Sequence, residues 1–135
     1  MLLFTCGLKI IDNRLPKVEV KLNPFEIAKR VADIGEDKQA SDILILDIRE
    51  ISNIADFFVI MTAESQRQME ALANDIISFI KKSNKGVYHR EGNTDSGWLL
   101  LDYGDVIVHV FAPKQRQYYR LEEFWSDSKE IVRIQ

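Results

Sequence analysis

One cysteine, Cys6, stands alone among 135 residues. With no second thiol in the chain, an internal disulfide framework is excluded, and a reducing compartment suits the protein. Nothing beside Cys6 in sequence would lower its pKa, so a redox or nucleophilic role has no support. No apolar run approaches the ~20 residues of a membrane-spanning helix. The opening Met1 to Leu8 is apolar but short and lacks a basic n-region, which argues against a signal peptide. Eighteen lysines and arginines stand against 21 acidic residues, a net charge of −3. Without a basic excess, broad attraction to phosphate backbones is not expected. These absences describe a soluble cytoplasmic protein, an organellar setting remaining open, with neither a membrane nor a sequence-specific nucleic acid as partner.

Catalytic signatures are missing as well. There is no GxxxxGK[ST] loop, no GxGxxG turn and no Gly-x-Ser-x-Gly elbow. Of the two histidines, His89 lies two residues from Glu91 on one strand face, short of the three or four ligands a zinc site needs. His109 follows Val108 within an apolar strand and reads as a hydrogen-bonded histidine at the core edge rather than a titrating group. Asp47 and Asp56 close and precede two apolar runs, positions from which carboxylates could hold Mg²⁺ beside a phosphate. Metal-dependent nucleotide transfer brings such carboxylates together as D-x-D after a glycine-serine turn, and neither is present. They read better as a strand-end and a turn residue. No catalytic residue, metal or cofactor is assigned. A residual nucleotide-binding or nucleotidyltransferase-type enzyme is the alternative reading.

What is present is enough apolar material, 46% of residues, for one compact core. Residues 1–22 form an N-terminal extension. The alternation in Lys17 to Leu22 offers an edge strand, but a flexible extension is favoured. Residues 23–135 form the domain. Asn23-Pro24 starts a helix as cap and first helical residue, and Gly35 is its expected stop. Ile43–Ile48 and Phe57–Thr62 are compact, partly β-branched runs and read as buried strands. Ser65 caps a second helix, with Gln68 where a capping-box partner belongs, Lys81, Lys82 and Lys85 favouring its negative end and Gly86 ending it. Then come strands at Val87–Glu91, Trp98–Leu101 and Val106–Phe111, with a tight turn at Asp102–Asp105. Pro113 halts the last of these. A helix over Gln115–Ser126 and a tail with strand character from Ser128 to Ile134 complete the chain. The order predicts an α/β protein with a single mixed sheet flanked by helices, including one right-handed crossover after Val59 and a later antiparallel meander.

Trp98, Tyr103, Phe111, Tyr118, Tyr119, Phe124 and Trp125 crowd one stretch, mixed with Arg116, Arg120, Glu122 and Glu123. Tryptophan, tyrosine and arginine are the residue types enriched at binding hot spots. So many rings do not fit one small core with their polar ends satisfied, so some are expected on the surface as an association patch.

The segments Asp42 to Ser52, Ile54 to Thr62, Ser65-Gln-Arg-Gln68, Glu91-Gly92, Gly97 to Phe111 and Arg116 to Trp125 together resemble the ribosomal silencing factor family, also called Iojap. The resemblance covers about Pro24 to Asp127. It implies a nucleotidyltransferase-like core without catalytic carboxylates, and a non-enzymatic role. It implies binding to the large ribosomal subunit through ribosomal protein uL-fourteen, where steric blockage of the small subunit represses translation, and a homodimer in the free protein. Trp98, Asp102, Tyr103, His109, Arg116, Tyr119, Leu121 and Trp125 match family motif positions and are the candidate partner-binding residues. Two details depart from the family. Thr62-Ala-Glu-Ser65 replaces a Thr-Gly-x-Ser turn, which puts the backbone shape there in question. Phe57 replaces a tyrosine, which removes a hydroxyl. The extension has no counterpart.

Overall fold

A computed structural model describes residues 22–83 and 89–135. Cys6, the alternating segment before Leu22, Lys85, Gly86 and Val87 lie outside the described residues. Ten elements follow one another: α1 (Pro24–Asp37), β1 (Ser41–Asp47), β2 (Phe57–Thr62), α2 (Gln66–Ser83), β3 (His89–Asn93), β4 (Trp98–Asp102), β5 (Val106–Phe111), α3 (Pro113–Tyr119), α4 (Leu121–Phe124) and β6 (Lys129–Ile134). The strands make one six-stranded mixed sheet in the order β3-β4-β5-β2-β1-β6. Among neighbouring strands only β2 and β5 run parallel; α2 carries the chain from β2 to the edge strand β3, and β3-β4-β5 returns as an antiparallel meander.

The sheet is apolar on both faces because its central strands alternate two buried sets. Ile45, Val59, Met61, Leu99, Leu101, Val108 and Val110 point to one side and pack under Ile27, Val31, Met69, Leu72 and Ile76 of α1 and α2. Leu44, Leu46, Phe58, Ile60, Ile107 and Phe111 point to the other, where Trp98, Leu100, Leu121 and Trp125 pack against them. Each such side chain, fully buried, contributes roughly 1.5–3 kcal/mol. Only short helices cover this second face, so it is where partly buried rings reach the surface.

The local chemistry explains most boundaries. Asn23 accepts the Glu26 N–H at 2.9 Å while the Glu26 carboxylate accepts the Asn23 N–H at 3.4 Å, a reciprocal capping box before Pro24. Gly35 does not stop α1, which continues to Asp37. It is a packing glycine instead: a Cβ there would sit 2.9 Å from the Met61 sulfur. The helix is closed by Gln39, whose backbone is left-handed at φ 62°. Ser65 Oγ accepts the Gln68 N–H at 3.1 Å as expected. The Gln68 carbonyl takes the Glu64 N–H rather than that of Ser65, and its amide donates to the Lys38 carbonyl at 2.8 Å, tying α2 to the end of α1. Ala63 has no positive φ, so its position needs no glycine. Phe57 is buried between Phe25, with ring centroids 5.6 Å apart, and the Arg49 guanidinium at 5.1 Å.

Two expectations are corrected, and the strand character expected of the tail is found. The strand expected to end at Glu91 runs, within the described residues, from His89 on to Asn93, because Gly92 and Asn93 pair with Leu99 and Trp98 instead of looping out. The single last helix is two, since Arg120 adopts a left-handed backbone (φ 47°, ψ 52°) that interrupts the ladder. Pro113, besides ending β5, opens α3 at a position that needs no N–H. The tail is a complete edge strand, paired antiparallel with β1.

Two glycines in the meander make a test. Gly104 (φ 84°) has open space around it, whereas a Cβ at Gly92 (φ 82°) would run into the Trp98 carbonyl oxygen. Gly104→Ala is expected to cost only the backbone term of about 1–2 kcal/mol, and Gly92→Ala clearly more. Urea unfolding of both variants measures this, and equal losses would show that the β3–β4 approach is loose.

Candidate functional site

The second sheet face carries a chain of rings that begins and ends in solvent. Tyr118 stands against Tyr119 with centroids 5.0 Å apart, Tyr119 against Trp98 at 4.7 Å, and Trp98 stacks on Phe111 at 5.0 Å. His109 lies beside Trp98 and meets Phe58 edge-on at 4.9 Å; Phe58 meets Trp125 at 5.1 Å, and Trp125 meets Phe124 at 5.8 Å. The ends are wet: Tyr118 is 78% exposed, Tyr119 48% and Phe124 80%. Strand alternation puts Trp98, Leu100, His109, Phe111 and Phe58 on this side, and α3 and α4 bring the other rings across it. Beside Tyr119 is a shallow hollow of about 290 Å³ lined by Glu91, Gly92, Ser96, Trp98 and Leu100.

His109 is the polar centre of the chain of rings. It is 4% exposed, and its Nδ1 accepts the Trp98 indole N–H at 3.2 Å. That bond requires the tautomer protonated at Nε2, which finds no acceptor among the described residues. Burial pushes the imidazole pKa down from 6.5 to about 3, so the ring is neutral at physiological pH.

Arg116 sits inside the protein, 7% exposed, not on its surface as its residue type suggested. Its Nη1 donates to the Asp42 carbonyl and to Thr62 Oγ1, both at 2.9 Å. Its Nε donates to Glu122 at 2.9 Å, and Nη2 stands 3.2 Å from the Asp42 carboxylate. The guanidinium therefore joins α3 to β1, β2 and α4. Asp42 serves it through a bulge: its backbone is left-handed (φ 47°) and the β1–β2 register shifts between Ser41 and Leu44.

The remaining candidates divide by position. Trp98, Leu121 and Trp125 are half-buried with faces at the surface, and Tyr119 is exposed. Asp102 accepts the Gly104 N–H at 2.8 Å and shapes the β4–β5 turn. Tyr103 is buried in the core on the α1 and α2 side, away from the rings. Tyr118, Phe124 and Leu100 belong to the patch but were not singled out as partner-binding; the aromatic crowding was the signal for the first two. Ile51 and Ile54, exposed between β1 and β2, fall in segments that carry the family resemblance but were not among the candidate partner-binding residues.

The alternative chemistries find little geometry. Arg49 binds the Asp47 carboxylate through Nε at 2.9 Å and Nη2 at 2.7 Å, and its backbone N–H adds a third bond. The arginine hydrogen bond holds the Asp47 pKa below its ordinary value. His89 and Glu91 approach within 3.6 Å, both exposed. Among the described residues no three His, Cys, Asp or Glu side chains converge as a metal centre requires, and no helix is long and apolar enough to cross a membrane.

The class is an α/β domain with one mixed sheet, whose second face is lined with rings and half covered by two short helices. The family model described as "Ribosomal silencing factor during starvation" matches residues 21–135. Ribosomal silencing factor RsfS of Bacillus subtilis is 40% identical over 107 residues, covering 79% of this chain and 91% of that protein. The chloroplastic protein Iojap of Arabidopsis thaliana is 32% identical over 125 residues, covering 89% of this chain and 51% of that one. A crystal structure of a Chromobacterium violaceum protein superposes with a TM-score of 0.73 at 33% identity, covering 78% of this chain and 88% of the other. The chain belongs to the ribosomal silencing factor family.

Two expected outcomes follow from the buried polar groups Arg116 and His109. Arg116→Ala leaves the buried Thr62 hydroxyl and the Asp42 carbonyl without their donor and the partly exposed Asp42 and Glu122 carboxylates without their shared cation, and should lower stability by about 1–3 kcal/mol. Arg116→Lys should not restore it, because one ammonium does not span the forked set of acceptors. Urea unfolding reads both, and a loss below about 1 kcal/mol would contradict the placement. His109 acts through pH. Its folded pKa lies below the unfolded value, so its contribution is intact above pH 6.5 and is lost as pH falls towards 3, by about 1.4 kcal/mol per unit. His109→Asn, which keeps an acceptor for Trp98, should flatten the stability–pH curve between pH 6.5 and 4. Parallel curves for the two proteins would refute this account of the histidine.

Proposed function

We propose that this protein lowers translation by binding the large ribosomal subunit through ribosomal protein uL-fourteen, at the face where the small subunit docks. The observation that carries the reading is the ring patch itself. Tyr118, Tyr119 and Phe124 lie in water beside half-buried Trp98, Leu100, Leu121 and Trp125. Large rings at low rotamer cost, on a stiff sheet, are what a stable protein contact uses. Steric occlusion needs a firm footprint and no bond-making step, which agrees with the tied-up Asp47 and the neutral His109.

The candidate residues take two roles in this reading. Trp98, Tyr119, Leu121 and Trp125 touch the partner, together with Tyr118 and Phe124. Asp102, Tyr103, His109 and Arg116 hold the shape that presents them. A second copy of the chain would use the same patch in a homodimer, and would compete with the ribosome for it.

The test is sedimentation of purified large and small subunits with the protein. Added in excess, it should shift material from joined ribosomes to free subunits and travel with the large one. Tyr119→Ala combined with Phe124→Ala should leave the melting temperature within a few degrees and weaken subunit binding by about 2 kcal/mol or more. Subunits that join equally well with and without the wild-type protein would end the proposal. Retention of full binding by the double variant would move the contact elsewhere on the surface.

A further inference from the structure

The two edges of the sheet differ in kind. β3, His89-Arg-Glu-Gly-Asn93, is polar and mostly exposed. β6 is more apolar: Ile131 is 39% exposed, and Val132 and Ile134 are half-buried on the α1 side. Among the described residues β6 pairs with β1 alone, so its outer backbone groups have no strand beside them. A bare apolar edge is a template for another strand. Beside it α1 overhangs a groove of about 280 Å³, walled by Glu26 and Arg30 and floored by Ile45, Val132 and Ile134. Leu22 lines the same groove, and at Leu22 the preceding 21 residues join the domain. The groove lies opposite the rings and takes no part in the ribosome contact proposed above.

We propose that residues 17–21 of this chain occupy this edge as a seventh strand, antiparallel to β6, with Val18 and Val20 in the groove under α1. The direction follows from α1. Its first turn lies at the start of β6, since Phe25 packs on Phe57, whose partner Asp47 faces Lys129. Its last turns lie at the far end, since Gly35 stands close to Met61 and Ile43, and Ile43 faces Ile134. A strand that leads into Leu22 along this edge therefore runs from Ile134 towards Lys129, opposite to β6. The reach fits too: five extended residues span about 17 Å, and the six of β6 about 20 Å. Lys17-Val-Glu-Val-Lys21 alternates, so one face carries only valine and the other only charge. Pro16, with no N–H to pair, bounds the segment. The alternation alone does not favour a strand; an apolar groove that begins at Leu22 does. Lys17 and Lys21 then stand at the new edge, where lysine discourages further pairing.

Amide hydrogen exchange on the full chain, read by NMR over Lys129–Ile134 at several protein concentrations, tests this. The β6 amides that donate to β1 are protected in any case; those that face outward report the added strand. In the wild type the outward amides should exchange about tenfold or more slowly than unpaired backbone, at every concentration. Val18→Asp combined with Val20→Asp should abolish that protection and leave the amides that donate to β1 protected. Nuclear Overhauser contacts from the Val18 and Val20 methyls to Val132 and Ile134 should appear in the wild type, a reading that needs no variant. Four results overturn the proposal: outward amides that exchange as unpaired backbone in the wild type, missing methyl contacts, protection that survives the double substitution, or protection that rises with concentration, which would mark a second copy of the chain at the edge.

Discussion

The buried Arg116 guanidinium is the joint on which the ring-bearing face depends. The second side of the sheet is covered by two short helices of seven and four residues, too short to hold themselves in water. Packing of Leu121 and Trp125 gives them adhesion but little direction. Direction comes from Arg116, whose donors reach Asp42, Thr62 and Glu122 on three other elements. The cation is desolvated, which is costly, and only this full set of partners makes it tolerable. The Asp42 bulge is the counterpart of that demand: a local irregularity in β1 aims both a carbonyl and a carboxylate at one guanidinium.

From this joint the ring chain inherits its order. Tyr119 can lie on Trp98 because α3 is anchored, and Trp125 can reach Phe58 because α4 starts from the same anchor. His109 completes the arrangement from within the sheet. Held neutral by burial, it accepts the Trp98 indole N–H and fixes the angle of that ring. The patch is thus presented by strands and bonded side chains rather than by a long loop, which limits the ordering a partner must impose on it.

Much of this was legible in the sequence, for identifiable reasons. Phe57–Thr62 and Val106–Phe111 were read with the bounds they have, because both are unbroken apolar runs with punctuation on either side. Asn23 and Ser65 announced their helices by side-chain chemistry that acts over three residues. What was missed depends on distance or on conformation without a residue signal. Gly35 looks like a helix stop until Met61 is seen against it. Arg120 breaks a helix that its residue type favours continuing. Arg116 has the identity of a hot-spot residue, but its acceptors Thr62 and Asp42 lie 54 and 74 positions away in sequence, and no local pattern reveals such a bond. Family motifs marked positions without separating exposed side chains from buried ones; burial makes that separation.

Both tryptophans of the chain, Trp98 and Trp125, belong to the ring chain. One leans on a neutral imidazole and the other on a phenyl edge, each with part of its surface towards solvent. The protein thereby carries an optical reporter confined to a single face. Excited at wavelengths that tryptophan alone absorbs, its emission arises on the ring-bearing face, so a shift in colour or intensity speaks for that face alone.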